Sequence, residues 1–415
     1  MKNSPVFPVQ TLPDFYVGSV IDSADLRFRE AFIGLLWESL LTHHVILKAP
    51  RRTGKTSVME HLRAHPQAGF VVLYENVQDL THPADFFLAI LDNLRDQHPR
   101  VFDHVRKGWG LLKKLLPEVE LEYEDFKFKF RADHPDYAAQ WRTHGDALFE
   151  RLRFLGSRVL IIVDELPDMV LNLKKENPAL LREFLAWFRD KRQNPPPKSD
   201  SVRWLLGGSV NLSSTLDAIG MVDLVNDLKD EPLPSLTDAQ VEEFVSSMLT
   251  ARQVPFEDGV PARLRERLGR PIPIFMQMLT QDLHRSWRES PRTLAPSDVD
   301  TVFDRLISST AAQDKLQHYY TRLAKYYDPP DALQAHAILD HLCRTADGAS
   351  RQALLTEYQR TLPAGKKTPP AHELKRRFLQ LLHDLENDFY VTETAPDQWD
   401  FGSGILKSWW RKYYA

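Results

Sequence analysis

The sequence predicts an α/β fold built on a doubly wound parallel sheet, and three observations predict it. Short, mostly β-branched apolar runs alternate with helical patterns, as in a sheet covered on both faces. One run, His44-Val45-Ile46-Leu47-Lys48-Ala49, leads into Pro50-Arg51-Arg52-Thr53-Gly54-Lys55-Thr56-Ser57 and then a helical pattern, Val58-Met59-Glu60-His61-Leu62. Another, Val159-Leu160-Ile161-Ile162-Val163, ends in Asp164-Glu165.

The remaining elements follow in chain order. Phe70 to Glu75 reads as a second strand and Val202 to Ser209 as another, with helical patterns over Ala84 to Leu94, Trp141 to Leu155 and Ala179 to Arg192. Residues 100–135 interrupt the alternation, and Val119 to Phe130 has a period of two that predicts an inserted half-exposed strand or hairpin, either solvated or a contact surface. Pro232 to Ala239 reads as a linker that ends in a capping box, Thr237 with Gln240, before a helix over Val241 to Thr250. Helical patterns continue to about 310 and predict a small lid. Beyond it, an amphipathic Leu379 to Glu386 precedes a strand pair, Phe389 to Thr394 and Gln398 to Phe401, the order of a winged helix. The expected organisation is an N-terminal extension over 1–20, a core over 21–235 that carries the insertion, a lid over 236–310 and a winged-helix domain over 311–415.

Length and composition agree with this division. A chain of 415 residues exceeds what one hydrophobic core supports. With 43% hydrophobic and 27% charged residues it has an ordinary globular composition. No apolar run reaches the ~20 residues of a membrane span, and the first residues lack the apolar core of a signal peptide. A lone cysteine, Cys343, excludes intrachain disulfides and thiolate clusters, and a reducing, cytoplasmic setting is expected. A net charge of −4 offers no global attraction to nucleic acid, so such binding would need a local patch.

Strand, glycine-bearing loop and helix form the arrangement a nucleoside triphosphate requires, because loop amides and a helix N-terminus must face the phosphates. The loop from Pro50 through Arg51, Arg52, Thr53, Gly54, Lys55, Thr56 and Ser57 is the expected phosphate cradle for ATP or ADP. Gly54 lets backbone approach the phosphates, Lys55 reaches the β and γ groups, and the Thr56 hydroxyl serves Mg²⁺. Ala49 stands where the pattern G-x-x-x-x-G-K-[ST] has its first glycine. Asp164 is the expected second holder of Mg²⁺, and Glu165 the general base that orients the attacking water. Ser209, at a strand tip, is either a polar sensor of the γ phosphate or turn chemistry after two glycines.

The runs "APRRTGKTSVMEHL", "VLIIVDELPDM", "RWLLGGSVNL" and "DLRFREAF" resemble the archaeal-type P-loop ATPases, close to the AAA+ and STAND groups. Leu268-Gly269-Arg270-Pro271 is similar to the Gly-x-Pro signature of their helical lid. The resemblance implies that Lys55, Thr56, Asp164 and Glu165 bind phosphate, bind Mg²⁺ and activate water. It implies that Pro271 packs near the adenine, that Arg29-Glu30 frames the pocket, and that a C-terminal winged helix is present. Arg51, Arg52, Arg189 and Arg192 are candidates for an arginine finger or for salt bridges.

Other chemistries find little support. The 15 histidines show no His-Glu-x-x-His spacing, and His43-His44 reads as structural. Ser403, between two glycines, lacks the strand-turn-helix frame of a nucleophile elbow, and Asn194 to Pro197 reads as an exposed loop. Basic residues at 366, 367, 375–377, 407, 411 and 412 offer phosphate contacts, but the acidic residues of the same region balance them. Trp409 to Tyr414 suits either base stacking or core packing. Two readings of function remain. In one, an ATPase couples turnover through lid and winged helix to a partner or to self-assembly; in the other, a nucleotide-gated regulator or scaffold turns over slowly. DNA binding as the main output is a third.

Overall fold

The computed structural model describes the chain apart from residues 1–13, 18–20, 50–51, 68, 104, 106–134, 154, 194–201, 209–215, 217–219, 328, 363–369 and 415. The period-two segment at 119–130, Pro50, Arg51, Ser209, Lys366 and Lys367 lie outside the described residues. The chain divides into two compact units, one over Arg29–Pro234 and one that joins the residues before Arg29 to those from Ser235 onward.

The first unit contains α1 (Glu30–Thr42), β1 (Val45–Lys48), α2 (Lys55–Ala64), β2 (Phe70–Asn76), α3 (Pro83–Gln97), α4 (Pro135–Arg153), β3 (Arg158–Asp164), α5 (Leu166–Glu176), α6 (Pro178–Gln193), β4 (Val202–Gly208) and β5 (Lys229–Pro232). The sheet is wholly parallel, in the order β2-β3-β4-β1-β5. Residues 159–163 of β3 are fully buried, as the unbroken apolar run demands of a central strand. Each such Val, Leu or Ile side chain contributes ~1.5–3 kcal/mol of burial. Phe86, Phe87, Phe149, Phe184, Trp187, Phe188 and Trp204 form an aromatic cluster in the core, with Phe188 edge-on to Trp204 at 4.6 Å.

β5 was not expected. Its sequence, Lys-Asp-Glu-Pro, carries no apolar signal, and charge with proline suits an edge strand that must not recruit another chain. It pairs with β1 from Val45↔Lys229 to Lys48↔Pro232, and Lys48 Nζ meets Asp230 Oδ2 at 2.7 Å.

In the second unit, α7 (Asp238–Ala251), α8 (Gly259–Leu268), α9 (Pro273–Glu289) and α10 (Pro296–Ser308) form a helical bundle. The capping box opens α7: Thr237 Oγ1 accepts the Gln240 N–H at 3.2 Å, and Gln240 Oε1 accepts the Thr237 N–H at 2.9 Å. There follow α11 (Thr310–Tyr326), α12 (Pro329–Arg344), β6 (Ala349–Ser350), α13 (Arg351–Arg360), α14 (Ala371–Asn387), β7 (Val391–Ala395), β8 (Gln398–Phe401) and α15 (Gly404–Tyr414). From α12 to β8 this is the winged-helix order, with a three-stranded antiparallel sheet β6-β8-β7. The two-residue β6 gave no periodicity to read.

Bundle and winged helix share one hydrophobic core, which runs from Leu236 to Trp410. The junction is also bonded along the backbone: Arg270 N–H donates to Gly402 C=O at 3.0 Å, Gly269 and Ser403 form an antiparallel bridge, and the Arg270 guanidinium lies 4.0 Å above Phe389. Trp409 and Trp410 are fully buried in the shared core, and Tyr413 and Tyr414 pack half-buried against it. No helix among the described residues is long and apolar enough to cross a membrane.

Candidate functional site

The site is built at the carboxyl ends of β1, β3 and β4. After β1 the backbone turns through Arg52 (φ 65°) and Gly54 (φ 95°), both left-handed, before α2 begins at Lys55. A left-handed arginine costs on the order of 1 kcal/mol or more, whereas Gly54 adopts the conformation without a Cβ penalty. Gly54 caps α2 without any side-chain bond, which leaves the first-turn amides to other acceptors. Val58, Met59 and Leu62 bury the far face of α2, so Lys55 and Thr56 stand on a fixed helix.

Asp164 ends β3 and is fully buried. Four donors surround its carboxylate. Lys55 Nζ is 3.2 Å from Oδ1, the Glu165 N–H donates to Oδ1 at 2.9 Å, the Thr56 hydroxyl donates to Oδ2 at 2.7 Å, and the Tyr74 hydroxyl donates to Oδ2 at 3.3 Å. Burial opposes ionisation, yet the Lys55 charge and these hydrogen bonds outweigh it and hold Asp164 below the usual carboxylate range. Glu165 is left-handed (φ 57°) at the start of α5, and its Oε2 lies 3.7 Å from Lys55 Nζ. Burial, and then the Asp164 charge, push the Tyr74 phenol well above its ordinary value, so Tyr74 is a neutral donor.

Two contributors escaped the sequence reading. Tyr74 belonged to an apolar run that signalled only a strand. Gly207 belonged to the run Val202 to Ser209 that signalled only a strand, and it lies inside β4, opposite Leu47 of β1. A Cβ at 207 would meet Asp164 Oδ1 and Met59 Cε, each at 2.6 Å, so the carboxylate occupies space that only glycine leaves. The signal was the Gly207-Gly208 pair within a strand pattern, which marks close backbone approach.

Arg29 is buried; Nη1 donates to Pro234 C=O at 2.7 Å and Nη2 to Thr53 C=O at 3.3 Å, so it braces the loop from behind. Arg192 forms a bidentate pair with Asp227 at 2.8 and 2.9 Å, and Arg189 pairs with Asp223 at 2.9 Å. Both make the salt bridges that were one of their two readings. Thr53 and Ser57 are buried in the loop and first turn. Pro271 belongs to the second unit, between α8 and α9.

Among the described residues no cluster of three His, Cys, Asp or Glu is placed to hold a metal ion. Mg²⁺ does not require one, because it is held by one or two protein oxygens with phosphate and water. The Thr56 hydroxyl and the ionised Asp164 carboxylate, 2.7 Å apart, are such hard oxygen donors and fit that ion.

The parallel sheet order, the Gly-Lys-Thr turn from β1 into α2 and the Asp-Glu end of β3 define a P-loop α/β fold, and a helical bundle and a winged-helix order of elements make up the second unit. No family model matches the chain, and no curated protein matches it. The chain aligns with several solved structures. The Aeropyrum pernix ORC2 protein in ADPNP–ADP complexes aligns at 12% identity over 91% of this chain and 90% of that one, with a TM-score of 0.47. The Aeropyrum pernix ORC1 protein in complex with DNA aligns at 15% identity over 93% and 92%, TM-score 0.40. The Thermotoga maritima RuvB Holliday junction branch migration motor aligns at 14% identity over 90% of each chain, TM-score 0.38.

Proposed function

We propose that this chain is a Mg²⁺-dependent ATPase whose nucleotide state is passed to the helical lid and winged helix, acting on a partner or on its own assembly. The observation that carries the reading is the meeting of Lys55, Thr56 and Glu165 on one buried carboxylate, Asp164. A buried carboxylate with this many donors is expensive to maintain for stability alone.

In this reading the loop amides and the first turn of α2 bind the β and γ phosphates, and Lys55 neutralises charge on them. Thr56 and Asp164 would hold Mg²⁺, which when bound would screen the charge of the phosphate oxygens. Glu165 accepts a proton from the water that attacks the γ phosphorus, with ADP as leaving group. Arg52, Thr53 and Ser57 complete the phosphate contacts. Phosphate release from ATP, measured with and without Mg²⁺, tests this: no release above background from folded protein removes the ATPase reading.

The second reading, a nucleotide-gated regulator with slow turnover, is favoured by the Lys55–Glu165 approach of 3.7 Å, which ties up the proposed base. It predicts tight nucleotide binding with turnover near background.

A further inference from the structure

The chain passes between its two units twice, at 28/29 and at 234/235, and one side chain lies at both crossings. Arg29 is the first residue of the Arg29–Pro234 unit, and its Nη1 holds the carbonyl of the last, Pro234, at 2.7 Å. The other arm of the same guanidinium holds Thr53 C=O in the phosphate loop at 3.3 Å. On the far side of the first crossing, Phe28 packs against the core of the second unit with a left-handed backbone (φ 62°).

Arg29 is 4% exposed, and among the described residues it makes no salt bridge; two backbone carbonyls accept from it, and burial opposes its ionised form while the neighbouring Glu30 charge favours it. It also stands at the N-terminus of α1, where the helix dipole disfavours a cation. A hydrocarbon side chain would avoid both costs, so stability alone gives no account of the residue. The guanidinium is a rigid planar fork that fixes the separation of its acceptors, which a lysine ammonium cannot do. The Thr53 carbonyl shares one rigid peptide plane with the Gly54 N–H, so an anion that draws that amide toward itself would turn the carbonyl as well.

Resting on the ATP-binding reading above, we infer that Arg29 is a positioning residue that transmits the state of the phosphate loop to both interunit crossings. It touches no reacting atom; it links Thr53 C=O to Pro234 C=O.

The test is hydrogen exchange of peptides that cover 27–30 and 234–237, with and without Mg²⁺ and a non-hydrolysable ATP analogue. In wild-type protein, bound analogue slows exchange at Ser235 and Leu236 by about tenfold, the scale of one charged hydrogen bond made harder to open. Arg29→Lys keeps the buried charge, melts cooperatively and still binds the analogue, weakened by about tenfold, but loses the nucleotide-dependent slowing. Slowing retained in full by Arg29→Lys overturns the inference, as does analogue-bound wild type with unchanged exchange at both crossings. The wild-type arm needs no variant to fold. A wild type that binds no analogue overturns the ATP reading and this inference together, whereas the first two outcomes leave the ATP reading standing.

Discussion

The Thr56 hydroxyl donates a 2.7 Å hydrogen bond to Asp164 Oδ2, joining the start of α2 to the end of β3 across 108 residues of sequence. That bond brings the loop and the carboxylate pair into one site. It also fixes which substitutions should separate binding from chemistry.

Lys55→Ala should abolish ATP binding. A cation on the β and γ phosphates in a partly buried site is worth about 3 kcal/mol or more, so affinity should fall by at least roughly 100-fold. The variant should also melt earlier, because Asp164 loses the cation 3.2 Å away. Titration with a fluorescent ATP analogue checks this, and near-native affinity would place the nucleotide elsewhere.

Glu165→Gln should retain binding and lose turnover. The amide keeps the shape of the side chain but accepts no proton, and general-base catalysis is worth about 10²- to 10⁴-fold. Single-turnover phosphate release checks it. A variant that turns over at the wild-type rate would dismiss Glu165 as the base.

Gly207→Ala should disturb the site from the sheet side. The new methyl meets Asp164 Oδ1 and Met59 Cε, each at 2.6 Å. Overpacking of this kind costs ~1–3 kcal/mol. Displacement of the carboxylate should raise the Mg²⁺ concentration needed for analogue binding. Melting curves and a Mg²⁺ titration read both effects, and an unchanged Mg²⁺ midpoint would count against Asp164 as a holder of the ion.

Two buried groups should give the stability curve opposite limbs. His44 Nδ1 accepts the Trp204 N–H at 3.3 Å and its Nε2–H donates to Arg192 C=O at 3.2 Å. Burial foremost, and then the Arg203 charge, push it from 6.5 down to about 4. The folded state holds the ring neutral, so this contribution is complete above 6.5 and is lost as pH falls toward about 4. Burial pushes Glu75 from 4.5 up to about 7. Its contribution is complete below 4.5 and is lost as pH rises through about 7. Urea denaturation across this range should show the acid limb flattened in His44→Asn and the neutral limb flattened in Glu75→Gln, each by up to roughly 3 kcal/mol. Parallel curves for wild type and either variant would refute the assignment for that residue.

Among the described residues, the basic side chains at 375–377, 407, 411 and 412 divide into two sets. Lys407 Nζ meets Asp400 Oδ2 at 2.6 Å, Arg411 bonds Cys343 C=O and Thr345 C=O, and Lys412 Nζ donates to Ser308 Oγ at 2.7 Å. Lys375 and Arg376 stand exposed on α14 beside Arg377, which pairs with Glu373 at 2.7 Å. Lys407→Ala should therefore lower the melting temperature with little change in any duplex affinity. Neutralising residues 375–377 should reduce the slope of log K against log salt by about 0.9 per lost phosphate contact. Equal effects of both sets on the salt slope would contradict this division.

The sequence by itself determined the P-loop, the Asp164-Glu165 strand end, four of the five parallel strands, the capping box at Thr237 and the terminal hairpin. Each is a local signal: an apolar run long enough to imply burial, a glycine where backbone must turn, or a capping residue three positions from its partner. Tertiary structure alone decided the rest. β5 has no pattern of its own and exists because β1 offers it a hydrogen-bonding edge. Tyr74 and Gly207 enter the site only through strand adjacency, which places Asn76 opposite Asp164 and Leu206 opposite Val163. The sequence marks Arg29 only through a resemblance, as part of an Arg-Glu element that frames the pocket, and its two acceptors, Thr53 and Pro234, reach the arms of its guanidinium only on folding. Local propensity is written along the chain, whereas a contact between distant residues depends on packing that no single segment encodes.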